Sequence, residues 1–509
     1  MEFGWLTILP PIIAIVLALL TKEVISSLLI GILSGTLIYT HFDVVKTIDV
    51  TFGIMSDKLG GNASIILFLA LLGALVCVIT KAGGSAAYGD WAVKKLKTRA
   101  GAQFATGVLG ALIFIDDYFN CLTVGTVMRP VTDKHHVSRA KLAYIIDATA
   151  APVCIIAPIS SWAVAVGSTM ESSGVADGMA TFIQTIPFNL YAFLTIIMVV
   201  FICWTNLDYG PMAKFEHNAV FKNDLHSNPD HPEDIEESGT QSAKKGKVYD
   251  LIIPIVALIV FSILAMLYVG GLFTGEASSI GEAFGNTDAS KSLCMGGLGA
   301  LVVAFILFLP RKILGFRDFM DGITEGVKSM VPAFIILTLA WTISGVCSAD
   351  YLNTGGFVGH LVETSNMPLQ ILPAVVFVVA SLLAFATGTS WGTFGILIPI
   401  VVPIIGATGS NLLIPALAAT LAGAVYGDHI SPISDTTILS STGARCNHID
   451  HVTTQIPYAT TVSAVCFVGF LIAGFTNNVY ITLAASIVMM LAVLVVLKLI
   501  QKKKEAVNA

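Results

Sequence analysis

Residues 427–437 read GDHISPISDTT. Two carboxylates, a histidine and four hydroxyls crowd round one proline, directly after the apolar run LLIPALAATLAGAVY at 412–426. Pro432 removes a backbone donor and disrupts the turn before it, so a helix running through 412–430 must break here. Carbonyls freed at a break, with hydroxyls and carboxylates beside them, are the oxygen ligands a hard cation takes. A second such grouping is DATAAPVCIIAPISS at 147–161, where Asp147 and Thr149 precede Pro152. Asp116, Asp117 and Asn120 sit in DDYFN (116–120), and Thr389, Ser390 and Thr393 in TSWGT (389–393). A charged Asp at the centre of a bilayer costs about 2.5–3.5 kcal/mol, so several together call for bound cations.

The residues proposed to hold ions are therefore Asp147, Asp428 and Asp435, with Asp116 and Asp117 close to them. Hydroxyl ligands are sought among Thr149, Ser160, Ser161, Thr389, Ser390, Thr393, Ser431, Ser434, Thr436 and Thr437. Each of these can instead bond back to its own helix. His429 titrates near neutral pH when unperturbed. The pattern of types, oxygen-rich and without Cys pairs, points to Na+ within Asp147, Asp428 and Asp435 rather than to a transition metal.

The elements that position these groups must cross a membrane. Of 509 residues, 55% are hydrophobic and 12% charged, against about 25% charged in soluble domains. Uninterrupted apolar runs near 4–20, 24–40, 63–80, 187–205, 249–273, 293–309, 329–348, 457–475 and 479–497 match the roughly 20 residues a helix needs to span hydrocarbon. The start, MEFGW, lacks the basic region of a cleavable signal, so the first run is expected to be retained. Four apolar regions are interrupted: 102–131, 140–168, 369–404 and 412–445. The eight cysteines are scattered singly and read as small apolar residues. GVLGALIF (107–114) and GGLGALVV (296–303) carry small residues at helix-packing spacing. GGSAAYG (83–89) reads as a flexible connector.

Basic residues set the orientation. KKLKTR (94–99) precedes 102–131, and Arg129, Lys134, Arg139 and Lys141 follow its core, so both flanks are expected in the cytoplasm and the segment is a re-entrant hairpin. The flanks of 369–404 lack Lys and Arg, so the second hairpin is expected to enter from outside. With 140–168 and 412–445 as broken spans, the chain reads as an all-α polytopic membrane protein. It has about eleven spans and two re-entrant hairpins in two inverted five-span repeats, with the N-terminus outside and the C-terminus inside. The repeats occupy 1–205 and 249–475. A polar cytoplasmic loop with Pro, Gly and mixed charge, 206–248, joins them, and 476–509 adds a span and a basic tail. LIFIDDYFNCLTVGTVMRPV (112–131) lies on FATGTSWGTFGILIPIVVPI (385–404), and Pro152 on Pro432, in the same order in both halves. Inverted repeats with discontinuous helices meeting at the midplane are the architecture of secondary transporters.

The stretch GDHISPISDTTILSSTGARCNHIDHVTTQIPYA (427–459), together with DDYFN and DATAAP (147–152), resembles the NhaC-type Na+/H+ antiporter family over most of the chain. The resemblance implies inverted repeats, re-entrant hairpins and elevator-like movement. It implies an ion and substrate region of Asp116, Asp117, Asn120, Asp147, Thr149, Asp428, Ser431, Asp435 and Thr436. It also implies exchange of cytoplasmic Na+ for external protons across the cell's inner membrane. Related carriers exchange organic acids or carry amino acids, and some are linked to drug efflux, so a Na+- or H+-coupled carrier or exchanger of a small organic acid or amino acid, or a drug-efflux carrier, is the alternative. Na+ and H+ enter as transported ions, and no cofactor is expected. No phosphate-binding G-x-x-x-x-G-K-[ST] motif occurs, which argues against an ATP-driven pump. Membrane lipid is the expected surrounding partner, a homodimer is an open assembly, and nucleic acid is not expected.

Overall fold

The computed structural model describes residues 3–508 except 22, 115–116, 159, 228–245, 364–367 and 409–410, and its regular elements are all helices. Eight described helices are long and apolar enough to cross a membrane, or up to ten if two bent pairs each count as one span. Leu67, Val256, Ile306, Leu382 and Val488 expose their side chains on the outer surface, as lipid-facing residues do. The protein is a multi-pass membrane protein.

The long helices include Ala63–Lys81, Tyr249–Val269, Ser290–Phe308, His448–Thr476 and Val479–Lys503, where the sequence led one to expect spans. The region at 4–20 gives only the shorter apolar helix Gly4–Ala18. The run at 24–40 is followed by a turn of 119° into Val44–Gly61. That bend has a local cause. His41 and Phe42 both adopt positive φ, and the Asp43 side chain accepts from the Val45 and Lys46 amides to start a new helix.

Each interrupted region of 102–131 and 369–404 is a pair of helices with a short break. The first pair is Arg99–Leu112 and Asp117–Lys134. Its two ends meet at one residue: Glu216 pairs with Arg99 before the hairpin and accepts from the Ser138 amide after it at 2.8 Å. The second pair is Leu372–Thr387 and Ser390–Thr408. Gly474 packs against the Gln370 carbonyl at one end of it, and Asn477 donates to the Asn411 carbonyl at the other. Both hairpins therefore return to where they began. They open toward opposite ends of the helix His448–Thr476. Residues 207–210 follow Asn206, whose side-chain oxygen accepts from Arg99 at 3.4 Å, and they touch Pro457 and Tyr458, whereas the second hairpin closes on Gly474 and Asn477. Sixteen helical residues separate Tyr458 from Gly474, a rise of about 24 Å.

Two expectations are revised. The segment after residue 206 is not wholly solvated. Pro211–Lys222 is a helix that buries Met212, Phe215, Glu216, Asn218 and Ala219. Asp208 accepts from the fully buried Lys141 and from Tyr458, and the Asn206 carbonyl accepts from Lys498. The rest of that loop lies largely outside the described residues, His231 among them. Residues 84–95 form a helix, Gly84–Lys95, and Gly84 sits against the backbone of Asp250, so this glycine-rich stretch is packed. The glycine patterns do make close contacts: Gly110 meets Thr149, and Gly296 meets the backbone of Ser262.

Candidate functional site

Helix Leu413–Ile430 stops where Pro432 denies it a donor, and the chain runs extended through Ser431 before Asp435–Ala444 begins, with Ser434 capping the Thr437 amide. The freed carbonyls do not all face an ion. Gln455 Nε2 donates to the His429 carbonyl at 2.7 Å, Thr437 Oγ1 to that of Ser431 at 3.1 Å, and His448 Nε2 to that of Pro432 at 2.8 Å. Buried backbone acceptors need partners, and here neighbouring side chains supply them. The second hairpin's tip docks on this break. Gly388 has φ +68°, and a Cβ there would fall 2.3 Å from the Ile433 carbonyl oxygen. Ser431 Oγ donates to the Phe385 carbonyl at 2.7 Å.

Asp428 lies in the last turn before the break. Its Oδ2 accepts from Ser390 Oγ at 2.7 Å and from Thr436 Oγ1 at 3.3 Å. Ser390 opens the second arm of the hairpin, so that arm's positive end faces the carboxylate. Among the described residues, the buried Asp428 Oδ1 has no hydrogen-bond partner. Asp435, first residue of its own helix, accepts from the Tyr118 hydroxyl, which reaches over from the first hairpin. Behind Tyr118 the same arm runs against Asp435–Ala444, with Gly125 on the backbone of Gly443.

Asp147 forms a separate centre, at the end of helix Arg139–Ala148. Its carboxylate accepts from Ser440 Oγ at 3.1 Å on Oδ1 and from Gln455 Nε2 at 2.6 Å on Oδ2, and His451 Nε2 lies 3.3 Å from Oδ2. His429 Nε2 lies 4.0 Å from it, and His429 Nδ1 is 3.0 Å from the Tyr191 hydroxyl. His451 and Gln455 were absent from the sequence candidates. Their signal is an i, i+4 pair on one face of a helix inside HIDHVTTQIPYA.

The remaining candidates divide. Asn120 Nδ2 ties the first hairpin together, donating to the carbonyls of Gly110 at 2.6 Å, Ile113 at 2.7 Å and Thr149 at 3.2 Å. Asp117 is buried at the start of the second arm. Thr149 and Thr393 bond back to their own helices, and Thr389 Oγ1 caps the Gly392 amide. Asp116 lies outside the described residues. Among the described residues no group of three or more His, Cys, Asp or Glu stands in metal-holding geometry.

The model of the Na+/H+ antiporter family matches residues 163–475, more than half of the chain and all of the second break, the second hairpin and the His451–Gln455 face. The chain belongs to the Na+/H+ antiporter family. A protein of Haemophilus influenzae described as uncharacterized is 39% identical over 97% of this chain and 95% of its own length. The malate-2H(+)/Na(+)-lactate antiporter of Bacillus subtilis is 28% identical over 36% of this chain and 42% of its own length. An uncharacterized Na(+)/H(+) antiporter, also of Haemophilus influenzae, is 27% identical over 27% of this chain and 28% of its own length. This member of the Na+/H+ antiporter family is a secondary transporter. The family match begins beyond Asp147 itself but includes its partners Ser440, His451 and Gln455.

Proposed function

We propose that the protein exchanges cytoplasmic Na+ for external protons across the cell's inner membrane by alternating access. In this reading Asp428 is the ion-binding carboxylate, assisted by the hydroxyls of Ser390 and Thr436. One observation carries it: a buried carboxylate with two hydroxyls on Oδ2 and, among the described residues, no partner on Oδ1. A buried charge that protein groups satisfy only in part is costly, and a cation or a proton on Oδ1 removes that cost. Asp435 and Tyr118 bring the first hairpin to the same break, so ion binding and hairpin position are linked.

A second reading is exchange of a small organic acid with the same ions. The name of the Bacillus subtilis relative favours it, as do the aromatic side chains at the second tip, where Trp391 meets Trp162 at 5.4 Å. Purified protein in liposomes with an imposed Na+ gradient tests both. Proton movement driven by Na+ alone supports the first. Movement that requires added malate or lactate supports the second, and no Na+-driven flux under either condition rejects both.

A further inference from the structure

We propose that Gln455 is the pin that holds the two carboxylate centres in register, a positioning residue for ion binding at Asp428. Its amide sits between the two broken spans. One N–H reaches Asp147 Oδ2 at 2.6 Å, and the other reaches the His429 carbonyl at 2.7 Å. A side-chain amide has two N–H donors, so both are committed. Asp147 belongs to the first broken region and His429 to the second. His429 is also the neighbour in sequence of Asp428, so holding its carbonyl fixes the backbone from which the Asp428 carboxylate projects.

The surroundings leave little slack. Gln455, Asp147 and His429 are all buried. A charge-assisted bond at 2.6 Å is among the stronger kinds, and a buried carbonyl deprived of its donor carries its full desolvation cost. His451, one turn earlier on the same helix, meets the same Asp147 oxygen at 3.3 Å. Ser440 reaches Asp147 from beyond the second break, and the His429 ring lies 4.0 Å from it, but Gln455 is the side chain that bonds Asp147 and the backbone of His429 together. A change in how Asp147 is held therefore passes through this amide to the backbone beside Asp428.

The inference rests on the reading of Asp428 as an ion ligand. Its test is a double-mutant cycle on purified full-length protein in detergent, with Na+ binding measured by calorimetry. Gln455→Leu should raise the Na+ Kd about tenfold, although Gln455 touches neither Asp428 nor Ser390. Gln455→Asn keeps the amide but is one methylene too short to reach both acceptors. It should act in the same direction, and it serves if the Leu variant does not fold. Asp147→Asn should shift the Na+ Kd in the wild-type background and shift it clearly less in either Gln455 variant, because the pin is already gone. Effects that simply add would overturn the proposal, since a residue that only supports the fold acts independently of Asp147. A fall in maximal transport rate at unchanged Na+ Kd would overturn it too. Wild-type Na+ binding by Asp428→Asn would overturn the ion-ligand reading and the pin together. Loss of binding in Asp428→Asn with wild-type affinity in both Gln455 variants would overturn the pin alone.

Discussion

Tyr118, at the tip of the first hairpin, donates its hydroxyl to the carboxylate of Asp435, 317 positions further along the chain. A bond from a tip to the start of the helix beyond the second break ties the first hairpin to the proposed ion site. Tyr118→Phe keeps the ring and removes the donor. A hydrogen bond to a charged group is worth about 1.5–3 kcal/mol, so Na+-driven proton flux in liposomes should fall about tenfold or more. Added to Asp435→Asn, Tyr118→Phe should cost little further, because the charged acceptor is already missing.

Asp428→Asn preserves shape and removes the charge. Na+-dependent exchange should vanish while the protein still inserts and purifies as before. Ser390→Ala deletes the closer of the two hydroxyls on Oδ2 and should raise half-saturating Na+ about tenfold. Normal exchange by Asp428→Asn would place the ion elsewhere.

Competition of Na+ and H+ for one carboxylate has a defined pH signature. Below the pKa of that carboxylate, the apparent Na+ Kd should rise about tenfold per pH unit for one exchanged proton, and above it the Kd should level off. Calorimetry between about pH 5.5 and 9 measures this. A flat profile would count against direct exchange and favour cotransport or exchange of an organic substrate.

The hairpins make a prediction about access. Cysteines placed at Thr98 and Lys134, on a Cys-free background, should both react with an impermeant thiol reagent from the cytoplasm. Cysteines at Pro368 and Asn411 should react from outside. Labelling of Thr98→Cys and Lys134→Cys from opposite sides would turn the first hairpin into a span.

Lys141 is buried with Asp208, and the Tyr458 ring lies 5.5 Å from its ammonium. Removing one partner of a buried pair leaves the other uncompensated, a loss of about 3–5 kcal/mol. Lys141→Met should therefore lower the unfolding temperature in detergent clearly. Lys141→Met with Asp208→Leu should recover much of the loss, since no charge is then stranded.

The breaks were readable because proline enforces them: Pro432 ends one helix in the sequence and in the structure. Ser390, Thr436, Asp428 and Asp435 were readable by type, and the structure gathers them at that break. Hydroxyl roles were not, because Thr149 and Thr393 meet their needs on their own helices, and a sequence does not reveal which acceptor wins. Gln455 was hidden for a different reason. It sits on an otherwise ordinary helix, and its two acceptors are 308 and 26 positions away. The helix Pro211–Lys222 was overlooked because its mean composition is polar. Met212, Phe215 and Ala219 nevertheless stand at one-face spacing behind a proline at the first turn.

Leak is where the capped carbonyls of the second break have their consequence. An exchanger wastes its gradient whenever the empty carrier changes sides. Bare carbonyls would resist that crossing by themselves, since each unsatisfied group in hydrocarbon costs several kcal/mol. Here the side chains of Gln455, Thr437 and His448 cover three of them. Under the proposed mechanism, resistance to slippage then falls on the charge of Asp428 and its open oxygen. Tightness of exchange becomes a property of one titratable charge and its two hydroxyls, so small changes around Asp428 would retune the fidelity of the carrier without rebuilding its backbone.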